Sequence, residues 1–461
     1  MFSSGEIIDV TGGRLVSGSP RATVRRVWTD SRTARRGDLF VALTGGRFDG
    51  HRFVGDALSK GAVGALVRRG YTTAGTAAKP AGAVLIEVDD PLRAYQDLAH
   101  AHRRRFAIPV VAVSGSNGKT TTKEMIGGVV SERFDTLMTE GNLNNHIGVP
   151  QTLLRLTKRH EAAVIEMGIS RLGEMTRLCE IAEPTHGVLT NIGPTHLATL
   201  GTVETVARAK GELLEALPPT GSAILNADDA FFEELRGRVR GRVVSFGYAD
   251  RADVRALHVA SQGASSSRVR VGVRGRSRPF SVRLGVTGRH NVANALAAVA
   301  TGIALGIGAG AIRAGLTRYR PVAMRSEVRR WRGVTVLNDC YNANPASVRA
   351  ALRWLSDLKG TGRTFAVLGD MLELGPAAEQ AHRDLGRELA HHAADYLMTT
   401  GTLGAEIAAG ALKEGMPAER VVTAPDQASL ADRLRGLVRK GDVVLLKGSR
   451  GAAMERVLEG L

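Results

Sequence analysis

The chain has 461 residues, 43% of them hydrophobic and 4% aromatic, and carries a formal net charge of +17. That length exceeds one ordinary core and fits about three domains, while the apolar content excludes disorder except locally. Cys179 and Cys340 are far apart and lack metal-ligand spacing, which excludes a disulfide framework and predicts reduced thiols in a cytoplasmic protein.

The opening residues, Met1 to Glu6, have no basic stretch followed by an apolar one, so no signal peptide is expected. Residues 1–106 read as a small α/β domain. Strands at Asp38–Leu43 and Val84–Val88 flank a helix near Phe53–Lys60, with a Gly/Ala/Thr linker loop from Thr72 to Gly82. Two turns, Asp30-Ser31-Arg32 and Gly46–His51, gather hydroxyl, guanidinium and imidazole groups. Such groups suit diphosphate or sugar oxygens, and they also serve as plain turn caps. The run Arg103-Arg104-Arg105 is short, lacks interleaved aromatics and matches no nucleic-acid-binding motif. No nucleic-acid partner is therefore expected; the basic surplus fits a solvated surface and small polyanionic ligands.

Residues 107–324 alternate strand and helix. The β-branched run Val110–Val113 reads as a buried strand that breaks at Gly115 and Gly118 into Lys119-Thr120-Thr121 and a helical pattern. Strand, glycine loop and helix in that order make a phosphate-binding loop: glycine lets backbone N–H groups face phosphate oxygens, and the helix adds its positive end. Lys119 is placed on the β- and γ-phosphates, and the hydroxyl of Thr120 or Thr121 on Mg²⁺. Val113 stands where the usual loop has its first glycine, so the form is the shorter Gly-x-x-Gly-Lys-Thr.

Further strands at Ala163–Glu166, Gly187–Asn191 and Ala223–Asn226 each end in polar residues, as expected at the ligand-binding edge of a doubly wound parallel sheet. Glu166 is a candidate Mg²⁺ ligand or a helix-capping acid, and His196 a candidate ligand of a second metal or a packed residue. The amide-rich loop Thr139–Asn145 needs ligand partners if it is buried. Lys210, on a helix, reads most simply as a surface lysine paired with Glu212 or Glu215. Residues 230–285 alternate Arg and Val and read as a β-rich appendage, and Gly288-Arg-His-Asn291 as a helix cap with an exposed amide. The apolar stretch Val292–Ile312 is long enough to span a bilayer, but Asn294, Thr301 and the break at Gly306-Ile-Gly308 predict two short buried helices and no stable membrane insertion.

Residues 325–461 repeat the pattern. Strands at Val334–Asn338, Thr364–Leu368 and Asp442–Lys447 run into Asp339–Pro345, Gly369–Gly375 and Gly448–Arg450, which predicts a second, Rossmann-like parallel sheet with its ligand edge toward the central domain.

With these clusters in place the chain resembles the Mur ligases over essentially its whole length, and most closely their MurF type, which adds a dipeptide. The resemblance rests on Gly115-Ser116-Asn117-Gly118-Lys119-Thr120-Thr121, Glu140–Asn145, Gly288–Asn291, Tyr341–Pro345 and Lys447–Arg450 occurring in the family's order. The MurE type usually has Asp-Tyr-Ala-His-Thr-Pro in the third domain and a later Asp-Asn-Pro-Arg; this chain has Asn338-Asp-Cys-Tyr-Asn-Ala-Asn-Pro345 and lacks the second motif.

The resemblance implies an α/β protein of three domains: 1–106 binding the UDP substrate, 107–324 binding ATP, and 325–461 binding the incoming dipeptide and closing on ATP. It implies an ADP-forming ligase, using ATP and Mg²⁺, that joins D-alanyl-D-alanine to UDP-N-acetylmuramoyl-tripeptide through an acyl phosphate, with a monomer as the expected state. Ser31 and Arg32 are implied as UDP contacts, and Asn142, Asn144 and Asn145 as muramoyl-peptide contacts. The phosphate loop, Asn291, Arg325, Asp339 and Tyr341 are implied for the nucleotide, with Lys119, His196 and Lys210 catalytic. Thr120, Glu166, His196 and a carbamylated Lys210 are implied for metal. Two other readings are an amino-acid ligase of the folylpolyglutamate type, against which Asp30-Ser31-Arg32 argues, and a nucleotide-switched ATPase that forms no bond.

Overall fold

A computed structural model describes residues 2–46, 48–71, 82–392 and 394–461. The linker loop expected from Thr72 to Gly82 lies outside the described residues except for its last, and Arg47 of the Gly46–His51 turn also lies outside them. The chain divides into two compact units. The first comprises residues 1–110, 137–167 and 176–184, and the second 111–136, 168–175 and 185–461.

In the first unit, five strands among the described residues form a sheet in the order Arg14–Ser17, Val84–Val88, Gly64–Arg68, Asp38–Val41, Arg26–Trp28. The outer pair Arg14–Ser17 and Val84–Val88 is antiparallel and the other pairings are parallel. Val84–Val88 is buried at every position, as expected for a strand covered on both faces. Pro91–Arg103 follows as a helix whose Asp90 caps the N–H groups of Leu92 and Arg93, with Pro91 preset for the first turn. Arg103 is a correction to the solvated-surface reading of its run: it is buried, and its guanidinium donates to the carbonyls of Ala182 at 2.9 Å and Phe106 at 2.6 Å. Also in this unit, the strand Ala162–Glu166 starts beside Pro109, whose carbonyl accepts the Ala163 N–H at 3.0 Å.

The second unit holds the phosphate-loop strand Val110–Ser114 from Val111 onward, which pairs in parallel with His186–Leu189, then Ser222–Asn226, then Arg242–Gly247. The β-rich stretch expected over 230–285 contains three antiparallel strands, Val254–Ser261, Ser267–Val273 and Phe280–Leu284, which continue from Arg242–Gly247. Ser267–Val273 alternates buried and exposed residues along its first five positions, with Arg268 and Arg270 outward, because one face is solvated. Val292–Ile312 falls in two helices, Arg289–Ala304 and Ala309–Arg318. Among the described residues no helix is long and apolar enough to cross a membrane.

The same unit carries a second sheet, in the order Glu327–Trp331, Val334–Asn338, Val443–Lys447, Thr364–Leu368, Tyr396–Thr400, Val421–Ala424; only the first pairing is antiparallel. Trp354 is the largest fully buried side chain of the described residues, and it packs with Leu337, Leu355 and Leu445 on one face of this sheet. Cys340 is buried on the other face, and neither cysteine is in a disulfide among the described residues.

Candidate active site

The phosphate loop has the backbone that its glycines predict. Gly115 takes φ 142° and Gly118 φ 78°, and the helix Lys119–Val130 starts with no side-chain cap. A Cβ on Gly115 would stand 2.0 Å from the Thr190 hydroxyl, and one on Gly118 would stand 2.5 Å from the Asn294 amide oxygen, so both positions need glycine for space as well as dihedral. A strap from the next strand end holds the loop. Asn191 accepts the Asn117 N–H at 3.0 Å and returns a bond to the Asn117 carbonyl at 2.9 Å; Ser116 donates its hydroxyl to the Gly193 carbonyl at 3.0 Å. Lys119 folds back over its own turn, with Nζ donating to the carbonyls of Gly115 at 2.9 Å and Ser116 at 3.3 Å.

His196 and Lys210 face the same place. His196 has left-handed φ (55°), and its Nδ1 lies 2.9 Å from Glu373 Oε2. Burial, the Lys210 ammonium and the Lys119 ammonium, in that order, push its pKa down. Lys210 is a correction: it is buried, not paired at the surface. Glu212 accepts the Gly173 N–H and Glu215 meets Arg238, whereas among the described residues Lys210 has no hydrogen bond or ion pair. Burial first, and the Lys119 charge second, hold its pKa well below the ordinary lysine value. The signal was present in the sequence: Val206, Ala207, Leu213 and Leu214 lie three or four residues from Lys210, on the same helix face, and all are buried.

Asn291 is a second correction. It is buried, its amide donating to the Thr287 carbonyl at 2.9 Å. Its neighbour Asn294, read in the sequence only as a polar residue inside an apolar stretch, accepts the Thr122 hydroxyl at 3.1 Å and so ties this helix to the phosphate-loop helix.

From the second sheet, Asp339 accepts the Ser326 N–H at 2.9 Å and the Lys447 ammonium at 2.5 Å. Lys447 is 2% exposed and also donates to the Asn342 carbonyl at 3.0 Å. The Arg325 guanidinium sits 3.7 Å over the Tyr341 ring. This region reaches the phosphate loop directly: Asn344 caps the helix Pro345–Asp357 and also donates its amide to Asn117 Oδ1 at 2.7 Å.

Thr120 and Thr121, on the phosphate-loop helix, are buried, and the remaining predicted residues belong to the first unit. Ser31 is buried at the start of a short turn capped by Asp30, and Arg32 closes a two-bond fork on the Asp30 carboxylate at 2.9 and 2.8 Å. Asp49 caps the next turn and bonds His51 Nδ1 at 2.6 Å, while His51 Nε2 accepts the Arg68 N–H. The amide loop is not buried: Asn142 and Asn145 are exposed, and Asn145 caps the N–H groups of Ile147 and Gly148. Asn144 donates to Glu166 Oε1 at 2.8 Å.

Residues 23–103, 113–302 and 324–450 match, in turn, the Mur ligase catalytic, middle and glutamate ligase domains. The chain belongs to the Mur ligase family. It is 36% identical over 457 residues to the UDP-N-acetylmuramoyl-tripeptide–D-alanyl-D-alanine ligase of Bacillus subtilis, covering 99% of this chain and 97% of that one. Among solved structures, MurF of Acinetobacter baumannii superposes with a TM-score of 0.90 at 34% identity, covering 99% and 98% of the two chains. MurF of Thermotoga maritima, solved in complex with ADP, gives 0.82 at 30% identity over 95% and 97%.

Proposed function

We propose that the chain is an ATP-dependent amide ligase of peptidoglycan precursor synthesis that joins D-alanyl-D-alanine to UDP-N-acetylmuramoyl-tripeptide, releasing ADP and phosphate. The observation that carries the reading is the phosphate loop itself, with Lys119 folded on its own turn, the charges of Lys210 and Lys119 adding to burial in lowering the pKa of His196, and Asn344 of the second sheet bonded to Asn117. Three cationic or proton-accepting side chains at one glycine loop suit a triphosphate whose end group is transferred.

In this reading the tripeptide's terminal carboxylate attacks the γ-phosphorus, the bond to ADP breaks, and an acyl phosphate forms. The amine of D-alanyl-D-alanine then attacks the acyl carbon, and the carbon–oxygen bond to phosphate breaks as the nitrogen gives up its proton. Lys119 leaves its own carbonyls for the β- and γ-phosphates and offsets charge there. Gly115, Ser116, Asn117, Gly118, Thr120 and Thr121 cradle the phosphates. Asn291, Arg325, Asp339 and Tyr341 serve the nucleotide, with Lys447 and Ser326 keeping Asp339 in place. Ser31 and Arg32 serve the UDP group, and Asn142, Asn144 and Asn145 the muramoyl-peptide.

Mg²⁺ is a hard cation that keeps several waters and takes few protein oxygens beside a substrate phosphate, so hydroxyl and carboxylate oxygens suit it; among the described residues no three His, Cys, Asp or Glu side chains form a ready metal cluster. Thr120, Glu166, His196 and a carbamylated Lys210 are the residues proposed to hold it. When bound, it neutralises developing charge on the phosphoryl oxygens. We assign residues 1–106 to the UDP substrate, 107–324 to ATP, and 325–461 to the dipeptide, in a monomer acting in the cytoplasm.

The test is phosphate release by the purified chain. It should require ATP, UDP-N-acetylmuramoyl-tripeptide and D-alanyl-D-alanine together; release stimulated by DNA without the two acceptors would overturn the reading. A second expected outcome follows from the loop geometry. Gly115→Ala drives a methyl group into Thr190, so ATP binding in a fluorescence titration should fall at least about tenfold while far-UV circular dichroism holds.

A further inference from the structure

The loop after the strand Thr364–Leu368 holds one carboxylate in an unusual way. Glu373 has φ 65°, a left-handed conformation that costs a side-chain-bearing residue about 1 kcal/mol or more and that glycine adopts freely. The surrounding chain imposes it. Met371 and Leu374 are buried in the core of the second sheet. The Met371 N–H donates to His382 Nε2 at 2.8 Å, and the Leu372 N–H donates to Ser449 Oγ at 2.9 Å. His382 is fully buried, and its other ring nitrogen lies 2.6 Å from the Ala378 carbonyl, so one tautomer is fixed. The Ser449 N–H donates to the Asp370 carbonyl at 2.9 Å. The result is a rigid turn from which the Glu373 side chain, 66% exposed, reaches His196 beside Lys119.

Glu373 meets His196 at 2.9 Å, and because its side chain is 66% exposed it can also take a further cation arriving from solvent. Of the reactants proposed above, the dipeptide is the one whose amine must come to the acyl phosphate, and it arrives as a terminal ammonium. We propose that Glu373 receives that ammonium and aligns its nitrogen on the acyl phosphate, so that the segment Gly369–Gly375 forms the amino end of the acceptor-dipeptide site. The assignment rests on the ligase reading and adds the residue that selects a free amine. Ion pairing through a charge-assisted hydrogen bond gives a Glu373→Gln chain a clear loss, and the side chain's exposure means that the fold does not depend on it.

The experiment compares the wild-type chain with Glu373→Gln and Glu373→Asp in two assays. Steady-state kinetics give KM for each substrate, and hydroxylamine in place of the dipeptide traps the acyl phosphate as a hydroxamate. Glu373→Gln should raise KM for D-alanyl-D-alanine about tenfold or more, with KM for ATP and the hydroxamate yield within about twofold of wild type. Glu373→Asp should fall between. An analogue with hydroxyl in place of the amine should inhibit wild type and Glu373→Gln equally. An unchanged dipeptide KM overturns the assignment and leaves the ligase reading standing. Equal losses in KM for ATP and in hydroxamate overturn it too, placing Glu373 with the phosphates. A wild-type chain that traps no hydroxamate and consumes no dipeptide overturns both.

Discussion

Replacing Lys119 with methionine is expected to lower kcat by about 10²–10³-fold, the usual loss when one preorganised charge-stabilising donor is removed. The effect should fall on kcat more than on KM for ATP, because the backbone N–H groups of the loop and the helix end still bind phosphate. Stability should change little. In the ligand-free chain Lys119 Nζ donates to the carbonyls of Gly115 and Ser116, each bond contributing on the order of 1 kcal/mol, and water can reach the turn through Asn117, Gly118 and Lys119, which are half-buried. Loss of the charge also relieves Lys210 and His196, whose pKa values Lys119 holds down. Thermal melting should therefore lie close to wild type while turnover collapses. Lys119→Arg should not recover the rate, since a planar, forked guanidinium does not replace the compact point charge that an ammonium brings to the β- and γ-phosphates. Turnover of Lys119→Met within about fivefold of wild type would show that the loop binds nucleotide without acting on it.

The sequence made the framework legible where strands are covered on both faces. Val84–Val88, Val334–Asn338 and Thr364–Leu368 lie where their mostly apolar, β-branched-rich runs put them, and each is buried at every position. The glycine loop was legible for a similar reason: the backbone demands of Gly115 and Gly118 are local. What joins the site is not local. Asn117 meets Asn344 across 227 positions of sequence, and His196 meets Glu373; no periodicity announces either contact. Arg103 and Asn291 misled because polar residues are surface residues by default, and both are buried where backbone carbonyls wait for donors. Lys210 had the helical spacing of a core position, and its charge argued the other way. Its burial makes sense as a feature of the chemistry, since an ammonium placed there lowers stability in the free chain.

Lys210→Met is accordingly expected to separate activity from stability in opposite directions. Activity should fall by about two orders of magnitude or more, since the residue faces Lys119 and His196. Stability should rise by about 1–3 kcal/mol, because a fully buried amine without a hydrogen bond, which folding strips of its proton, is replaced by an apolar chain of similar length. The pH dependence follows from the direction of the shift. Between the lowered folded pKa and the unfolded value near about 10.4, the unfolded chain holds a proton that the folded chain has lost. Stability from this group therefore rises with pH across that window, and the rise should vanish in Lys210→Met, as read by urea titrations at neutral and mildly alkaline pH in buffers freed of carbon dioxide. The same low pKa supplies neutral amine, which can add carbon dioxide: a nitrogen–carbon bond forms as one carbon–oxygen π bond opens, a proton leaves to solvent, and the neutral amine becomes a negative carbamate that attracts Lys119. Bicarbonate should then stabilise the wild-type chain, leave Lys210→Met unmoved, and add the mass of one carbon dioxide in gentle mass spectrometry. Short carboxylates should restore part of the activity of Lys210→Ala by standing in for the carbamate oxygens. A wild-type chain indifferent to bicarbonate in mass, stability and rate would leave Lys210 acting as the bare amine, in which case no carboxylate restores Lys210→Ala.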